Sequence, residues 1–259
     1  MPVPNPMPAY SSVAIVGVGL IGGSIGLALR ERRLAGEIVG IGRREVSLRQ
    51  AQACGAVDRF TTDLVAGVAD SEVIVVCSPV ALIADHILAA RAACPATALI
   101  TDAGSTKAAI VTAVESTALA RRTGPGNPVE RAAGQCLPSD RQYRNRPGQP
   151  MFVGSHPLAG DHRTGVAHAR ANLFTGRTVV VTPTDTTLPM AIERASALWQ
   201  ALGADVVSLD PDEHDRLLAA TSHMPHLIAA AVVSATPTEG LPLTATGWQD
   251  VTRIAASDP

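Results

Sequence analysis

Three short segments of this chain carry side chains able to move protons or hold anions. Thr101-Asp102-Ala103-Gly104-Ser105-Thr106-Lys107 gathers a carboxylate, hydroxyls and an amine into one loop. Gly154-Ser155-His156-Pro157-Leu158-Ala159-Gly160 holds an imidazole between an apolar run and a Pro/Gly turn. Thr221-Ser222-His223-Met224-Pro225-His226 sets two imidazoles three residues apart. An imidazole exchanges a proton near neutral pH, and one held by a rigid loop at a sheet's carboxyl edge is a candidate general base. His156 therefore reads either as that base or as a hydrogen-bonded structural histidine. Ser105 or Thr106 reads as a cap of the helix that follows. His223 and His226 fall on one helical face, as a polar contact to a ligand or as satisfied buried groups. HExxH spacing and any Cys/His cluster are missing, so no metal site is expected.

A fourth segment, Ala14-Ile15-Val16-Gly17-Val18-Gly19-Leu20-Ile21-Gly22-Gly23-Ser24, places GxGxxG between an apolar run and a long apolar-faced segment. In that setting Gly17 permits the tight turn, Gly19 lets backbone approach a pyrophosphate and Gly22 lets helix pack close to strand. The helix that opens at Leu20 and Ile21 then points its free N–H groups and positive dipole end at the phosphates. The pattern predicts a dinucleotide site. An acid at the end of the second strand would favour NAD, but that strand ends Val39-Gly40-Ile41-Gly42-Arg43-Arg44. Two guanidiniums where the acid is missing suit a 2′-phosphate, so the expectation leans to NADP over NAD. The alternative is that Arg43 and Arg44 merely cap the strand in solvent or stack on the adenine. Ser78, Pro79 and Asp102, at the ends of later apolar runs, are counted with the cofactor contacts.

Elements able to position these groups are legible as alternating patterns. Short β-branched runs at Val13–Val16, Ile38–Ile41, Val73–Cys77, Ala98–Thr101, Met151–Val153, Thr178–Val181 and Val206–Leu209 alternate with helical periods. The fold class predicted is α/β: a Rossmann-type, mainly parallel sheet with helices on both faces, over residues 13–208. Ser78 with Pro79 reads as an N-cap and first helical position, and Asp210-Pro211 with Glu213 as a capping box. Between Thr187 and Leu202, Ile192, Ala195, Leu198, Trp199 and Leu202 share one helical face, which makes Trp199 a core residue. Asp210 to Ala235 reads as helix, apolar enough in its second half to need a cover. Residues 1–12 read as a disordered lead-in, and 121–150, rich in Pro, Gly and charge, as a mobile surface insertion.

Composition bounds the remaining choices. The 259 residues are 46% hydrophobic, enough for a main core and an appendage. A net charge of −2 with 3% aromatic residues argues against nucleic acid as a partner. Cys54, Cys77, Cys94 and Cys136 form no CxxC pair, which fits a reducing cytoplasm. No uninterrupted apolar stretch has the length of a membrane span, so none is expected.

GVGLIGGSIGLAL, DAGSTK, GSHPLAG, SHMPH and DVTRIA occur in an order, spacing and setting that resemble the prephenate/arogenate dehydrogenase family of tyrosine biosynthesis, over essentially Val13 to Pro259. The resemblance implies hydride transfer from prephenate to NAD(P)+, with loss of CO2 and aromatisation to 4-hydroxyphenylpyruvate. It implies that His156 accepts the ring hydroxyl's proton, that Ser105 hydrogen-bonds the same hydroxyl, that Arg253 holds a substrate carboxylate and that His223 lines the pocket, with His226 beside it. It also implies that 209–259 begins a partial all-α substrate and dimerisation domain, joining a homodimer through its helices. Relatives continue with further helices that this copy is expected to lack. After HPLAG the family commonly has a glutamate, and this chain reads Asp161-His162-Arg163 with His162 where that acid usually sits, so the acid is either lost or replaced by neighbouring Asp161. Two functions compete on this reading: an active dehydrogenase completed by its partner subunit, and a dinucleotide-binding protein without turnover. A third, a Rossmann dehydrogenase acting on a β-hydroxyacid or imine, fits GSHPLAG and DVTRIA less well.

Overall fold

The computed structural model describes residues 9–120 (side chains to 116), 149–161 and 163–256. The expected insertion thus lies outside the described residues except for Gln149 and Pro150, as do Cys136, His162 and residues 1–8.

Six strands form a parallel sheet: β1 (Tyr10–Val16), β2 (Ala35–Ile41), β3 (Arg59–Thr61), β4 (Val73–Val76), β5 (Leu99–Asp102) and β6 (Met151–Phe152), in the order β3-β2-β1-β4-β5-β6. The order reverses beside β1, and the crevice outside the strand ends at such a switch point is where open α/β sheets bind ligands. Residue alternation explains how both faces are buried. Val13, Ile15, Val73 and Val75 pack with α1 (Leu20–Glu31), α2 (Glu45–Ala53) and α6 (Pro189–Ala201) on one side. Ala14, Val16, Ile74 and Val76 pack with α3 (Leu64–Val68), α4 (Val80–Ala93) and α5 (Ala108–Ala120) on the other. A strand buried on both faces has to be apolar at every position, as these are.

The last strands depart from the expected single sheet. β7 (Gly154–Pro157), β8 (Thr178–Thr182) and β9 (Asp205–Ser208) form a separate three-stranded sheet in which β7 runs antiparallel to β8. The strand expected at Met151–Val153 is β6, and a further strand not foreseen, β7, follows it, so His156 lies inside β7, opposite Val180, rather than in the loop after a strand. The lead-in also shortens, because Tyr10 to Ser12 already belong to β1 and Tyr10 pairs with Ala35.

Beyond Asp210 the chain is helical: α7 (Pro211–Leu218), a π-helical segment (Ala219–His223), α8 (Met224–Ala235), α9 (Thr246–Thr252) and a closing 3-10 turn (Arg253–Ala256). Asp210 caps α7 by accepting from the N–H groups of Asp212 and Glu213. The Glu213 carboxylate goes to Arg216 instead of completing a capping box. From Pro211 to Ala235 the helix is 25 residues long and contains an 18-residue stretch of mean hydropathy 1.4, which passes as a membrane span by length and composition alone. Asp212, Glu213, Asp215 and Arg216 interrupt its first turns. In α8 only Ala229 is buried, while Leu227 is 71% and Ile228 53% exposed. The cover expected for this segment is not supplied by the described residues.

Candidate active site

The glycines of the β1–α1 turn behave as three different devices. Gly17 has φ +94°, and a Cβ there would lie 2.7 Å from the Cys77 carbonyl oxygen. A Cβ on Gly22 would lie 2.2 Å from the Gly17 oxygen, so helix and turn touch only because it is absent. A Cβ on Gly19 would meet nothing within 4 Å. That open space belongs to a cleft of about 420 Å³, lined by the turn, by Gly42, Arg43 and Arg44 after β2, by Ser78 and Pro79 after β4, and by Gly165 and Val166. No side chain caps α1 at Gly19, and Leu20 and Ile21 open the helix half-buried, so its first N–H groups remain for a ligand. These features fit a dinucleotide pyrophosphate.

Arg43 and Arg44 stand exposed at this cleft, and among the described residues neither has a salt bridge. Ser78 does not cap α4 as expected: Pro79 is the N-cap, and the Ser78 hydroxyl lies 2.8 Å from His86 Nδ1. Burial, with Arg43 nearby, holds His86 below the usual histidine range against the opposing pull of Asp85.

Asp102 departs furthest from its expected place at the cofactor. Both it and Lys107 are fully buried, and they form an ion pair. Its carboxylate also accepts from the Gly104 and Ser155 N–H groups, while Lys107 Nζ donates to the Ser155 carbonyl at 2.9 Å. Every oxygen of that carboxylate is thus spent in binding the β5–α5 loop to β7. The Ser155 hydroxyl, which lies against Thr101 Oγ1 and the Asp102 carbonyl, accepts from Trp199 Nε1 at 3.0 Å, and Trp199 is fully buried, as its place in the helical pattern predicts. These contacts fix the strand that carries His156 from behind.

His156 itself is half-buried, with Nδ1 2.9 Å from His214 Nε2. His214 is fully buried, and its Nδ1 lies 2.8 Å from Asp215 Oδ1. Asp215 in turn accepts from the N–H groups of Lys107 and Ala108 at 2.7 and 3.0 Å, so it, and not Ser105 or Thr106, caps α5. Burial chiefly, with His214, Lys107 and His223 adding to it and Asp215 opposing, pushes His156 down to about 3. A ring that is neutral at neutral pH and partly open to solvent can accept a proton.

Ser105 is exposed in the loop two residues before the Asp215-held N–H groups. His223 acts electrostatically on His156 from the π-helical segment. Nine residues of regular α-helix, about two and a half turns, would set His223 opposite His214. The π segment between them changes that angle, and such segments recur at functional sites. Arg253 and His226 are exposed, and no hydrogen bond or ion pair among the described residues ties either to His156. Asp161, the candidate stand-in for a family glutamate, is held by Arg163 at 3.0 Å and Arg170 at 2.8 Å, which keep its carboxyl well below the usual range.

Sequence reasoning passed over His214 and Asp215. The available signal was a histidine on the apolar face of α7, in line with Pro211 and Leu218, at a position where a hydrophobe is the ordinary choice.

Comparison with known proteins completes the picture. Residues 25–147 and 137–208 match the profile of the prephenate dehydrogenase nucleotide-binding domain, and residues 210–259 that of the prephenate dehydrogenase dimerization domain. The chain belongs to the prephenate dehydrogenase family. Within that family it is similar to the prephenate dehydrogenase of Bacillus subtilis (strain 168), 33% identical over 96% of this chain and 61% of the relative. The chain thus spans about three fifths of that relative's length. The structure of A. aeolicus prephenate dehydrogenase in complex with hydroxyphenyl propionate and NAD+ superposes with a TM-score of 0.77 at 28% identity, covering 96% of this chain and 79% of that one. Synechocystis arogenate dehydrogenase gives 0.72 at 26%, covering 96% and 80%. The resemblance carried by the five sequence segments, and the Rossmann-type sheet followed by helices, are borne out.

Proposed function

We propose that this protein is an NAD(P)-dependent dehydrogenase of tyrosine biosynthesis that converts prephenate to 4-hydroxyphenylpyruvate and CO2, or arogenate to tyrosine and CO2. The observation that carries the proposal is His156: a neutral, half-buried imidazole backed by His214 and Asp215, beside His223 and the loop bearing Ser105. The nicotinamide, when bound, supplies the hydride acceptor. His156 accepts the ring hydroxyl's proton as the carbinol becomes a carbonyl, with Ser105 hydrogen-bonding the same oxygen. The bond to the ring carboxylate then breaks, CO2 leaves, and its electron pair completes the aromatic ring. His156 returns the proton to the phenolic oxygen. Arg253 is assigned to a substrate carboxylate, for which a guanidinium fork is the fitting anchor, with His223 and His226 as further substrate contacts.

The cofactor contacts proposed are Gly17, Gly19, Leu20, Ile21, Gly22, Ser78 and Pro79, with NADP preferred over NAD. Arg43 and Arg44, exposed at the cleft and without a salt bridge among the described residues, support that preference. The working form proposed is a homodimer joined through the helices of 209–259, appended to a dinucleotide-binding domain of 13–208; the dimerization-domain match and the open face of α8 support it. The proposed setting is the cytoplasm, where thiols such as Cys54, Cys77 and Cys94 stay reduced.

Steady-state rates with prephenate and with arogenate, each with NAD+ and NADP+, test the reading through the absorbance of the reduced cofactor. Turnover with NADP+ ahead of NAD+ is expected, and Arg43→Ala with Arg44→Ala should lower that ratio about tenfold or more. No turnover in any combination would move the function to dinucleotide binding alone.

A further inference from the structure

We infer that His214 and Asp215 are positioning residues that fix the tautomer of His156, leaving its Nε2 as the proton-accepting nitrogen. The inference rests on the reading of His156 as the base and follows from counting donors. An ionised carboxylate only accepts hydrogen bonds. Asp215 takes two from the Lys107 and Ala108 N–H groups, and the third partner at its Oδ1 is His214 Nδ1, 2.8 Å away, which must therefore carry a proton. With one proton on the His214 ring, its Nε2 is a bare lone pair. That lone pair faces His156 Nδ1 at 2.9 Å, so the single ring proton of His156 sits on Nδ1 and is donated inward. Nε2 is then the only basic nitrogen left on His156. A ring nitrogen's state is set by the hydrogen bond its counterpart makes, and the wrong tautomer of a catalytic histidine disables it even where geometry is intact.

The charged groups around the pair agree with single protonation. Burial first, and Lys107 as well, hold His214 below the usual histidine range, while Asp215 and Asp102 pull the other way. Around His156 the corresponding groups are His214, Lys107, His223 and Asp215. The arrangement also has a second arm. The same carboxylate that orients the two rings caps α5 directly after the Ser105 loop, so one side chain sets the base and the hydroxyl in register.

The test is read on the 259-residue chain free of ligand. Long-range proton–nitrogen correlation spectra of 15N-histidine-labelled protein at pH 7, with His156 assigned by the His156→Asn variant, distinguish the two neutral tautomers. The result expected for His156 is a protonated Nδ1 and a bare Nε2; a protonated Nε2 overturns the inference without any variant of His214. His214→Leu removes the acceptor and should lower kcat about 10²- to 10³-fold, with KM little changed. His214→Gln, whose side-chain carbonyl still accepts, should restore at least about tenfold of that loss, and equal loss in both variants also overturns the inference. The spectrum needs no substrate, so the two readings fail separately. The expected tautomer without turnover would sink the proposed function alone, and turnover with the other tautomer would sink this inference alone.

Discussion

Burial chiefly, with Lys107 and the neighbouring histidines adding to it, holds His156 at about 3, so across the range where an imidazole ordinarily titrates this ring stays neutral. In the unfolded chain it regains an ordinary value near ~6.5. Between those two values the unfolded state binds a proton that the folded state does not, so stability falls as pH falls below ~6.5 and is unaffected above it. The folded-state pKa values of His214 and His86 are lowered too, and both add to the same slope. Thermal unfolding followed from pH 7 to pH 4 should show a falling Tm, with a shallower fall in His156→Asn; an equal slope in both proteins would place the effect elsewhere. The same variant should bind the dinucleotide as the parent does, by cofactor fluorescence, while kcat drops about 10²- to 10⁴-fold. At this scale the sequence was half legible. His156 announced itself by an apolar run and a Pro/Gly turn on either side. His214, which backs it, is 58 residues away along the chain, and no local pattern reports a contact of that span.

Helices and strands were easiest to read where one segment carries its own instructions. GxGxxG states a strand, a turn and a helix within a dozen residues, and all three appear with the glycines in the roles their spacing implies. That separation of roles makes opposite predictions for neighbouring positions. Gly22→Ala sets a methyl against backbone and should cost about 2 kcal/mol or more of stability in denaturant melts. Gly19→Val points into open cleft and should leave stability within about 1 kcal/mol, while weakening dinucleotide binding at least about tenfold. Equal effects of the two substitutions would contradict the geometry. β7 was hidden for the opposite reason: its pairing with β8 joins residues 24 apart, His156 to Val180, and a four-residue strand has no pattern of its own. The cap of α5 was misread similarly, since nearby hydroxyls fit the local rule but a carboxylate from α7 takes the position.

Among the described residues, the main sheet is covered on both faces and α8 is left uncovered. Within α8, Leu227 is 71% exposed, Ile228 53% and Val233 42%. In the proposed dimer each such side chain would contribute about 2 kcal/mol by burial. Leu227→Glu should therefore raise the dimer dissociation constant by at least about 30-fold, read by sedimentation. A parent protein that sediments as a monomer at micromolar concentration would refute the arrangement. The sequence foretold that this segment needed a cover, because its second half is apolar all round.

Asp215 lies beyond residue 208, yet its carboxylate closes a helix of the sheet domain and its neighbour His214 backs the histidine of β7. Anyone wishing to graft this catalytic apparatus onto another helical partner, or to prune the chain to its dinucleotide-binding half, would find the seam in the wrong place. A cut at 209 keeps the cofactor cleft whole but strips the N–H groups opening α5 and leaves His156 free to choose its own proton position. The modular unit for engineering runs through α7.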